Sequence, residues 1–183
     1  IARENNCRSH IDGARIFNAS ISSSLSPKRM AREYDSISVC LSKGLGAPVG
    51  SVLVGSAETL YKAHRWRKMF GGGMRQAGVL AAAGIYSLEN NVHRLSEDHD
   101  RAMEIATALD RMDSYEVDLE QVQTNMVYVK CDKGGAEALI SRLERMGIQA
   151  LTIDSSTIRI VTHLHITDDD VQRTISALDS AQL

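Results

Sequence analysis

The chain has 183 residues, of which 43% are hydrophobic and 24% are charged, the balance of a globular protein that can bury a core. A formal net charge of −2 excludes an electrostatic field strong enough to recruit nucleic acid or an anionic membrane. The three cysteines are odd in number and widely spaced, so we expect reduced thiols and a cytoplasmic location. No apolar run approaches the length of a bilayer span.

The first part of the chain has the pattern of a parallel βαβ unit. It predicts a strand ending at Asp12, a helix over 16–24, a second helix capped by Ser26 and running to about Tyr34, and a strand over 36–41. Functional groups gather at the carboxyl ends of parallel strands. Asp12 and Lys43 both follow such ends, so we expect them to share a crevice.

Lys43 stands in a glycine-rich turn between the strand over 36–41 and a second predicted strand over 50–55. A lysine at the end of a buried strand has a lowered pKa, and the neutral amine can form a Schiff base with a carbonyl compound. The neighbouring glycine would allow a flat cofactor to lie close to the backbone. The alternative is a solvated turn lysine, and the pattern of a phosphate-binding P-loop is absent.

Two more helices are predicted after these strands. The first covers 58–70, and a glycine-rich loop leads from it through Arg75 into the second, over 76–90. The loop is interpreted either as a place where backbone amides and Arg75 meet an anion or as a simple linker. The second helix is apolar on nearly every side, which predicts burial within a larger protein.

The second half of the chain changes in composition. A long helix over 92–112 carries His99 on or beside its apolar stripe, and we interpret that histidine as a boundary residue and not as a ligand. Beyond it the pattern predicts strands over 115–119, 126–131, 149–153 and 157–162, a helix over 134–146, and a last helix capped by Thr167.

Two details of this half concern helix ends and faces. The helix over 134–146 is predicted to end at Gly147, with four residues turned inward: Ala138, Leu139, Leu143 and Met146. The aspartates at 168–170 are interpreted as complements to the dipole of the last helix, in preference to a metal site. We predict two domains, the end of a parallel-sheet domain over 1–91 and a small α/β domain over 92–183.

Two motifs, Asp12-Gly-Ala-Arg15 and Leu41-Ser-Lys-Gly-Leu-Gly-Ala-Pro-Val-Gly50, resemble those of fold type I pyridoxal-phosphate enzymes. With Arg65-Trp-Arg-Lys-Met-Phe-Gly-Gly-Gly-Met-Arg-Gln-Ala-Gly78 and Ile158-Arg-Ile-Val-Thr-His163 added, the pattern is similar to that of the low-specificity L-threonine aldolases. The resemblance runs from Ser9 to the last helix. It implies the α/β fold of that family and a chain that corresponds to its C-terminal part.

The resemblance also implies roles for the residues of the first two motifs. Lys43 would hold pyridoxal 5′-phosphate, Ser42 would contact it, and Asp12 would face its protonated ring nitrogen. Arg15 would lie beside the ring, near its phenolate oxygen or the substrate carboxylate. The alternatives from the residues alone are a helix N-cap for Asp12 and a surface arginine for Arg15.

Two further arginines take roles from the same resemblance. Arg159 resembles the arginine that binds the substrate carboxylate through a bidentate fork. Arg75 resembles an arginine that reaches the cofactor phosphate region of a neighbouring subunit, which implies a homodimer or a homotetramer. Because the family's phosphate loop lies upstream of the matched segment, a companion chain that carries the N-terminal half is the other partner expected. The chain alone is expected not to bind the cofactor tightly.

The function implied is retro-aldol cleavage of L-threonine or L-allo-threonine to glycine and acetaldehyde, catalysed by a pyridoxal-phosphate-dependent lyase. Two alternatives stay open at this point. One is another lyase or a racemase of the same fold, and the other is a truncated, non-catalytic homologue that acts as an assembly partner. No nucleic acid, membrane or metal is expected to bind.

Overall fold

The computed structural model describes residues 1–131 and 135–181. The chain divides into two compact units, residues 1–94 and 95–183. The boundary between these units follows Arg94. The sequence predicts a domain boundary after residue 91, and that domain assignment stays a prediction.

The first unit contains a mixed three-stranded sheet and four helices. In chain order its elements are β1 (His10–Gly13), α1 (Ile16–Ser23), α2 (Pro27–Ala31), β2 (Ser36–Cys40), β3 (Ser51–Gly55), α3 (Ala57–Met69) and α4 (Gly78–Asn90). Strand β1 pairs in parallel with β2, and β2 pairs antiparallel with β3. The parallel βαβ unit predicted from the sequence is therefore confirmed, and β1 and β3 form the two edges of this sheet.

Local signals explain where the elements of this unit begin. The Ser26 hydroxyl accepts a hydrogen bond from the Arg29 amide at 3.2 Å, and Pro27 occupies the first helical position, as predicted. Helix α2 ends at Ala31, three residues before the predicted end.

Strands β1 and β2 lie so close that a Cβ on Gly13 would stand 2.7 Å from the Ser38 carbonyl oxygen. A glycine is therefore required at that position.

Helix α4 and strand β3 are largely exposed in this chain. On α4 only Gly84 and Ser87 are buried, whereas Val79 is 81% exposed. The sequence predicts burial of this helix within a larger protein, and since no described residue covers its outer face, that burial stays a prediction. Strand β3 has no buried residue.

The second unit is a small α/β domain. Its described elements are α5 (Leu95–Leu109), β4 (Met126–Lys130), α6 (Ala136–Arg145), β5 (Leu151–Thr152), β6 (Thr157–Val161) and α7 (Asp168–Ser180). The sheet has the order β4-β6-β5 and is antiparallel throughout. A single core joins the helices to the sheet, with side chains that include Ile105, Leu109, Val127, Val129, Leu139, Leu143, Ile158, Ile160, Val171 and Leu178.

Two predictions for this unit are wrong. The strand predicted over 115–119 is reduced to a single antiparallel bridge between Glu116 and Lys130. On α6 the buried residues are Ala136, Leu139 and Leu143, which follow helical spacing, so Ala138 points outward and Met146 is exposed. The predicted start of this helix, at Gly134, lies outside the described residues.

Other predictions for this unit are confirmed. Gly147 ends α6 with a φ of +78°, and His99 is half-buried on α5, where burial lowers its pKa. The Thr167 hydroxyl accepts a hydrogen bond from the Asp170 amide, and the Asp170 carboxylate accepts one from the Thr167 amide. Asp170 thus caps the start of α7, and Asp168 and Asp169 lie with it in the first turn, where negative charge complements the helix dipole.

Neither a metal site nor a membrane-spanning helix is present among the described residues. No group of three histidine, cysteine, aspartate or glutamate side chains is placed to hold a metal ion. None of the described helices combines the length and the apolar character needed to cross a membrane.

Two substitutions on α5 test the position of the core. Leu109 is fully buried, so Leu109→Ala is expected to lower the free energy of unfolding by roughly 2–5 kcal/mol. Met103 lies on the same helix and is 37% exposed, so Met103→Ala should cost less than about 1 kcal/mol. Urea unfolding followed by circular dichroism measures both, and equal losses would contradict this assignment of the buried face.

Candidate active site

Lys43 lies in a tight turn that follows the carboxyl end of β2. Its carbonyl oxygen accepts a hydrogen bond from the Gly46 amide at 2.9 Å, and Gly46 has a φ of +73°. Two more backbone bonds close the base of the turn, from the Leu41 amide to the Gly50 carbonyl at 2.9 Å and from the Ala47 amide to the Leu41 carbonyl at 3.0 Å. The turn therefore has a defined backbone conformation.

The inner side of this turn is anchored to α4. Leu41, Leu45 and Ala47 are buried, and the Asn91 side-chain amide donates a hydrogen bond to the Leu45 carbonyl at 2.7 Å. Helix α4 approaches closely at Gly84, where a Cβ would lie 3.0 Å from a Leu41 methyl group. Burial of one side of the turn directs the other side, with Lys43, towards solvent.

Lys43 itself is exposed, and no described residue accepts a hydrogen bond from its ammonium group. The sequence-based expectation of a buried lysine is therefore wrong for this chain. Strand β2 has only one buried residue, Ile37, because described residues cover so little of this sheet. The ammonium group of Lys43 is accessible to a ligand from solvent.

Asp12 lies at the carboxyl end of β1, where its Cα is paired with that of Ser38 on β2. The parallel register brings the ends of these strands side by side, so Asp12 and the turn of Lys43 lie at the same, carboxyl end of two adjacent strands. The Asp12 carboxylate accepts a hydrogen bond from the Ala14 amide at 3.2 Å. Asp12 is not a helix N-cap, because Arg15 occupies that position of α1.

Arg15 is half-buried and immediately precedes α1. Within the described ranges its guanidinium group has no ion-pair or hydrogen-bond partner. A positive charge at the N-terminus of a helix is opposed by the helix dipole, so Arg15 is placed where it gains from an anionic ligand.

Cys40 and Ser42 lie beside Lys43. The Cys40 thiol and the Ser42 hydroxyl are 3.4 Å apart. Burial raises the pKa of the Cys40 thiol, but hydrogen bonds with Ser42 and Ser51 and the positive charge of Lys43 together outweigh it, so this pKa lies below its usual value. The charge of Lys43 thus acts on groups at the end of β2.

Arg75 and Arg159 stand apart from these residues in the sequence. Arg75 is exposed in the loop between α3 and α4, and α4 has no side-chain cap, so the anion-site and linker interpretations both stay open. Arg159 belongs to the second unit, at the centre of β6 between Tyr128 on β4 and Leu151 on β5. Its Nε is buried and has no hydrogen-bond partner among the described residues.

A family model of beta-eliminating lyases matches residues 1–132, about three quarters of this sequence. The chain belongs to the beta-eliminating lyase family. Among curated proteins it is 45% identical to low-specificity L-threonine aldolase 1 of Arabidopsis thaliana, over 100% of this chain and 52% of the relative. It is 46% identical to the low specificity L-threonine aldolase of Escherichia coli K12, over 92% of this chain and 49% of the relative.

The fold of this chain is similar to that of solved threonine aldolase structures. The threonine aldolase of Leishmania major matches with a TM-score of 0.80 at 18% identity, over 100% of this chain and 54% of that one. The fold type I α/β class predicted from the sequence is confirmed. The chain spans about half the length of the curated relatives that it matches.

Two structural asparagines, one in each unit, were not found from the sequence. Asn91 holds the turn of Lys43, and Asn125, which is 3% exposed, joins the ends of β4 and β6. The Asn125 side chain donates to the Thr162 carbonyl at 2.7 Å, and the Thr162 amide donates to the Asn125 carbonyl at 3.0 Å. The Thr162 hydroxyl donates to the Asp98 carbonyl at 2.6 Å. A lone asparagine outside a turn motif gives no local signal of such a partner.

Removal of the Asn91 side chain tests the anchor of the Lys43 turn. Asn91→Ala leaves the Leu45 carbonyl without its donor, so the unfolding free energy should fall by about 1–2 kcal/mol. The Gly46 and Ala47 amides should exchange hydrogen faster, as measured by NMR. Asn90→Ala is the matched control, since that side chain bonds only the Tyr86 carbonyl of its own helix. Unchanged exchange at both amides in Asn91→Ala would show that the turn does not depend on this bond.

Proposed function

We propose that this protein is a pyridoxal-phosphate-dependent lyase that cleaves L-threonine and L-allo-threonine to glycine and acetaldehyde. The observation that carries the proposal is 45% identity along the whole chain to a protein named low-specificity L-threonine aldolase. The geometry supports it, because Asp12 lies at the carboxyl end of β1 and Lys43 follows the carboxyl end of its parallel neighbour β2. Ligands bind at such strand ends in α/β sheets.

The residues at these strand ends fit pyridoxal phosphate. The Lys43 ammonium is accessible and has no described protein partner, so the amine can bond the aldehyde carbon of the cofactor. The Asp12 carboxylate is a matching acceptor for a protonated ring nitrogen. Close approach of β1 to β2, which Gly13 permits, keeps the two strand ends adjacent. When bound, the cofactor supplies an electron sink for the electrons of the Cα–Cβ bond.

Each of the proposed site residues then has a defined role. Lys43 holds the cofactor, and Asp12 keeps the proton on its ring nitrogen through opposite charge. Ser42 is a further cofactor contact. Arg15 is proposed to bind the phenolate oxygen or the substrate carboxylate.

Arg159 is proposed to bind the substrate carboxylate through two parallel hydrogen bonds. The buried Nε of Arg159, which has no partner among the described residues, supports this role. A buried donor without an acceptor is costly, and a carboxylate ligand would satisfy it.

Exposed apolar surface on the first unit supports a multi-chain protein. Helix α3 has no buried residue, and Trp66 and Phe70 stack at a ring distance of 5.8 Å while Phe70 is 83% exposed. We propose a homodimer or homotetramer, or a companion chain that carries the N-terminal half of the relatives' length. In either assembly Arg75 is proposed to reach the cofactor phosphate of a neighbouring subunit.

The name of the family model favours a second candidate, β-elimination. That reaction would turn threonine into ammonia and a four-carbon 2-oxo acid, with no glycine. The two candidates therefore differ in their products.

The experiment on Lys43 uses this chain alone and within the complete product of its gene. With added pyridoxal phosphate, an absorbance band at roughly 410–430 nm should form and be lost in Lys43→Ala. Borohydride reduction followed by peptide mass spectrometry should place the adduct on Lys43. With threonine, equimolar glycine and acetaldehyde support the aldolase, and a 2-oxo acid with ammonia supports the elimination.

The presence and position of the cofactor adduct also distinguish the proposed enzyme from a non-catalytic homologue. An adduct on another lysine would overturn the assignment of Lys43, and no adduct in the complete gene product would favour a non-catalytic homologue. Lys68→Ala is the matched control, because Lys68 is an exposed lysine near the end of α3.

The proposed role of Arg159 predicts a change in substrate binding. Arg159→Lys keeps the charge and removes the planar fork, so KM for threonine should rise by about tenfold or more. The spectrum of the bound cofactor should stay unchanged. Arg145→Lys, an exposed substitution at the end of α6, should leave KM as it is. A KM that does not move in Arg159→Lys would remove this arginine from the substrate site.

A further inference from the structure

The second unit contains a cavity of about 320 Å³ that has no part in the function proposed above. All the residues that line it belong to this unit. It lies between β6, the connection from α6 to β5, and the start of α7. Its volume is at the lower end of the range for small-molecule pockets, which suits a ligand the size of an amino acid.

One part of the lining is apolar and branched. Ile105 and Ile160 are almost completely buried, and Ile148 and Ile166 pack against the core of the unit. Four isoleucines make a surface that complements a short branched hydrocarbon chain. Burial of such a chain would favour binding through the hydrophobic effect.

The polar part of the lining includes one positive and one negative side chain. An Arg173 amino group donates to the Met146 carbonyl at 3.4 Å, and this bond holds the guanidinium against the end of α6. Another Arg173 nitrogen lies 3.9 Å from the Asp170 Oδ1. The second oxygen of Asp170 accepts hydrogen bonds from the Thr167 amide at 3.0 Å and its hydroxyl at 2.7 Å. Among the described residues, Oδ1 has only its long contact with Arg173.

These charges define the kind of ligand that fits. With histidine counted as neutral, the Arg173 and Asp170 charges sum to zero, which matches a zwitterion better than an anion or a cation. A lone carboxylate would satisfy Arg173 and leave Asp170 facing a like charge. Two imidazoles, His163 and His165, also line the cavity and supply further hydrogen-bonding groups. No three metal-binding groups are gathered there or elsewhere in the described residues.

We propose that this cavity is a binding site for a free branched aliphatic α-amino acid, with its carboxylate on Arg173, its ammonium on Asp170 and its side chain on the four isoleucines. The site would let the protein respond to the level of a free amino acid. The proposal does not depend on the function proposed for Lys43.

The test is a titration of the full chain without pyridoxal phosphate, followed by NMR of isotope-labelled isoleucine methyl groups. L-Leucine is the probe. The methyl signals of Ile105, Ile148, Ile160 and Ile166 should shift together and saturate with a Kd of about 1 mM or below. Isocaproate, which lacks the ammonium group, and isoamylamine, which lacks the carboxylate, should each bind about tenfold more weakly.

Variants identify the charged partners. Arg173→Gln should raise the Kd for L-leucine about tenfold or more, and the protein should stay folded because that side chain is 66% exposed. Arg145→Gln makes the same change of charge at the exposed end of α6 and should leave the Kd unchanged. Lys43→Ala should also bind as the parent chain does.

Three results would overturn the proposal. One is the absence of a saturable shift at these four methyl groups up to about 20 mM L-leucine. Another is equal binding of isocaproate, which would make the cavity an anion site. The third is an unchanged Kd in Arg173→Gln.

Discussion

The parallel pairing of β1 with β2 is the constraint on which the candidate site depends. It puts Asp12 and the turn of Lys43 at adjacent strand ends, although 31 positions separate them in the chain. The pairing tolerates no side chain at residue 13, because a Cβ there would stand 2.7 Å from the Ser38 carbonyl oxygen. A larger residue would push the strands apart and separate the carboxylate from the amine. The glycine of the Asp12-Gly-Ala-Arg15 motif therefore supports the site indirectly, because it permits the close pairing of β1 with β2.

Elements with local signals could be predicted from the sequence. Ser26, Gly147 and Thr167 mark helix ends through their own geometry, and the structure has a helix boundary at each of them. The strand over 115–119 was wrong because a strand needs a partner that extends along it, and Glu116 finds only a single bridge with Lys130. Structure that depends on residues close in the sequence, such as a helix cap, could be predicted. Structure that depends on pairing with a distant segment could not.

The identities of the site residues came from motifs, whereas their environments did not. Lys43, Asp12 and Arg15 could be named from two short strings, yet the expected burial of Lys43 was wrong. Burial depends on what packs over a residue, and the described residues leave this part of the sheet open. Likewise Asn91 holds the turn of Lys43 across 46 positions, a distance over which the sequence carries no periodic or spacing signal.

The open edges of the first sheet have a consequence for how the chain behaves at high concentration. Strands β1 and β3 each have an edge that is not paired within the sheet, and β3 carries Val52, Leu53 and Val54 in exposed positions. Exposed, apolar edge strands are templates for polymerisation of one chain on another. Two such edges on one sheet would allow growth in both directions. These edges would therefore promote association of the isolated chain, and a strand paired with either edge would block growth in that direction.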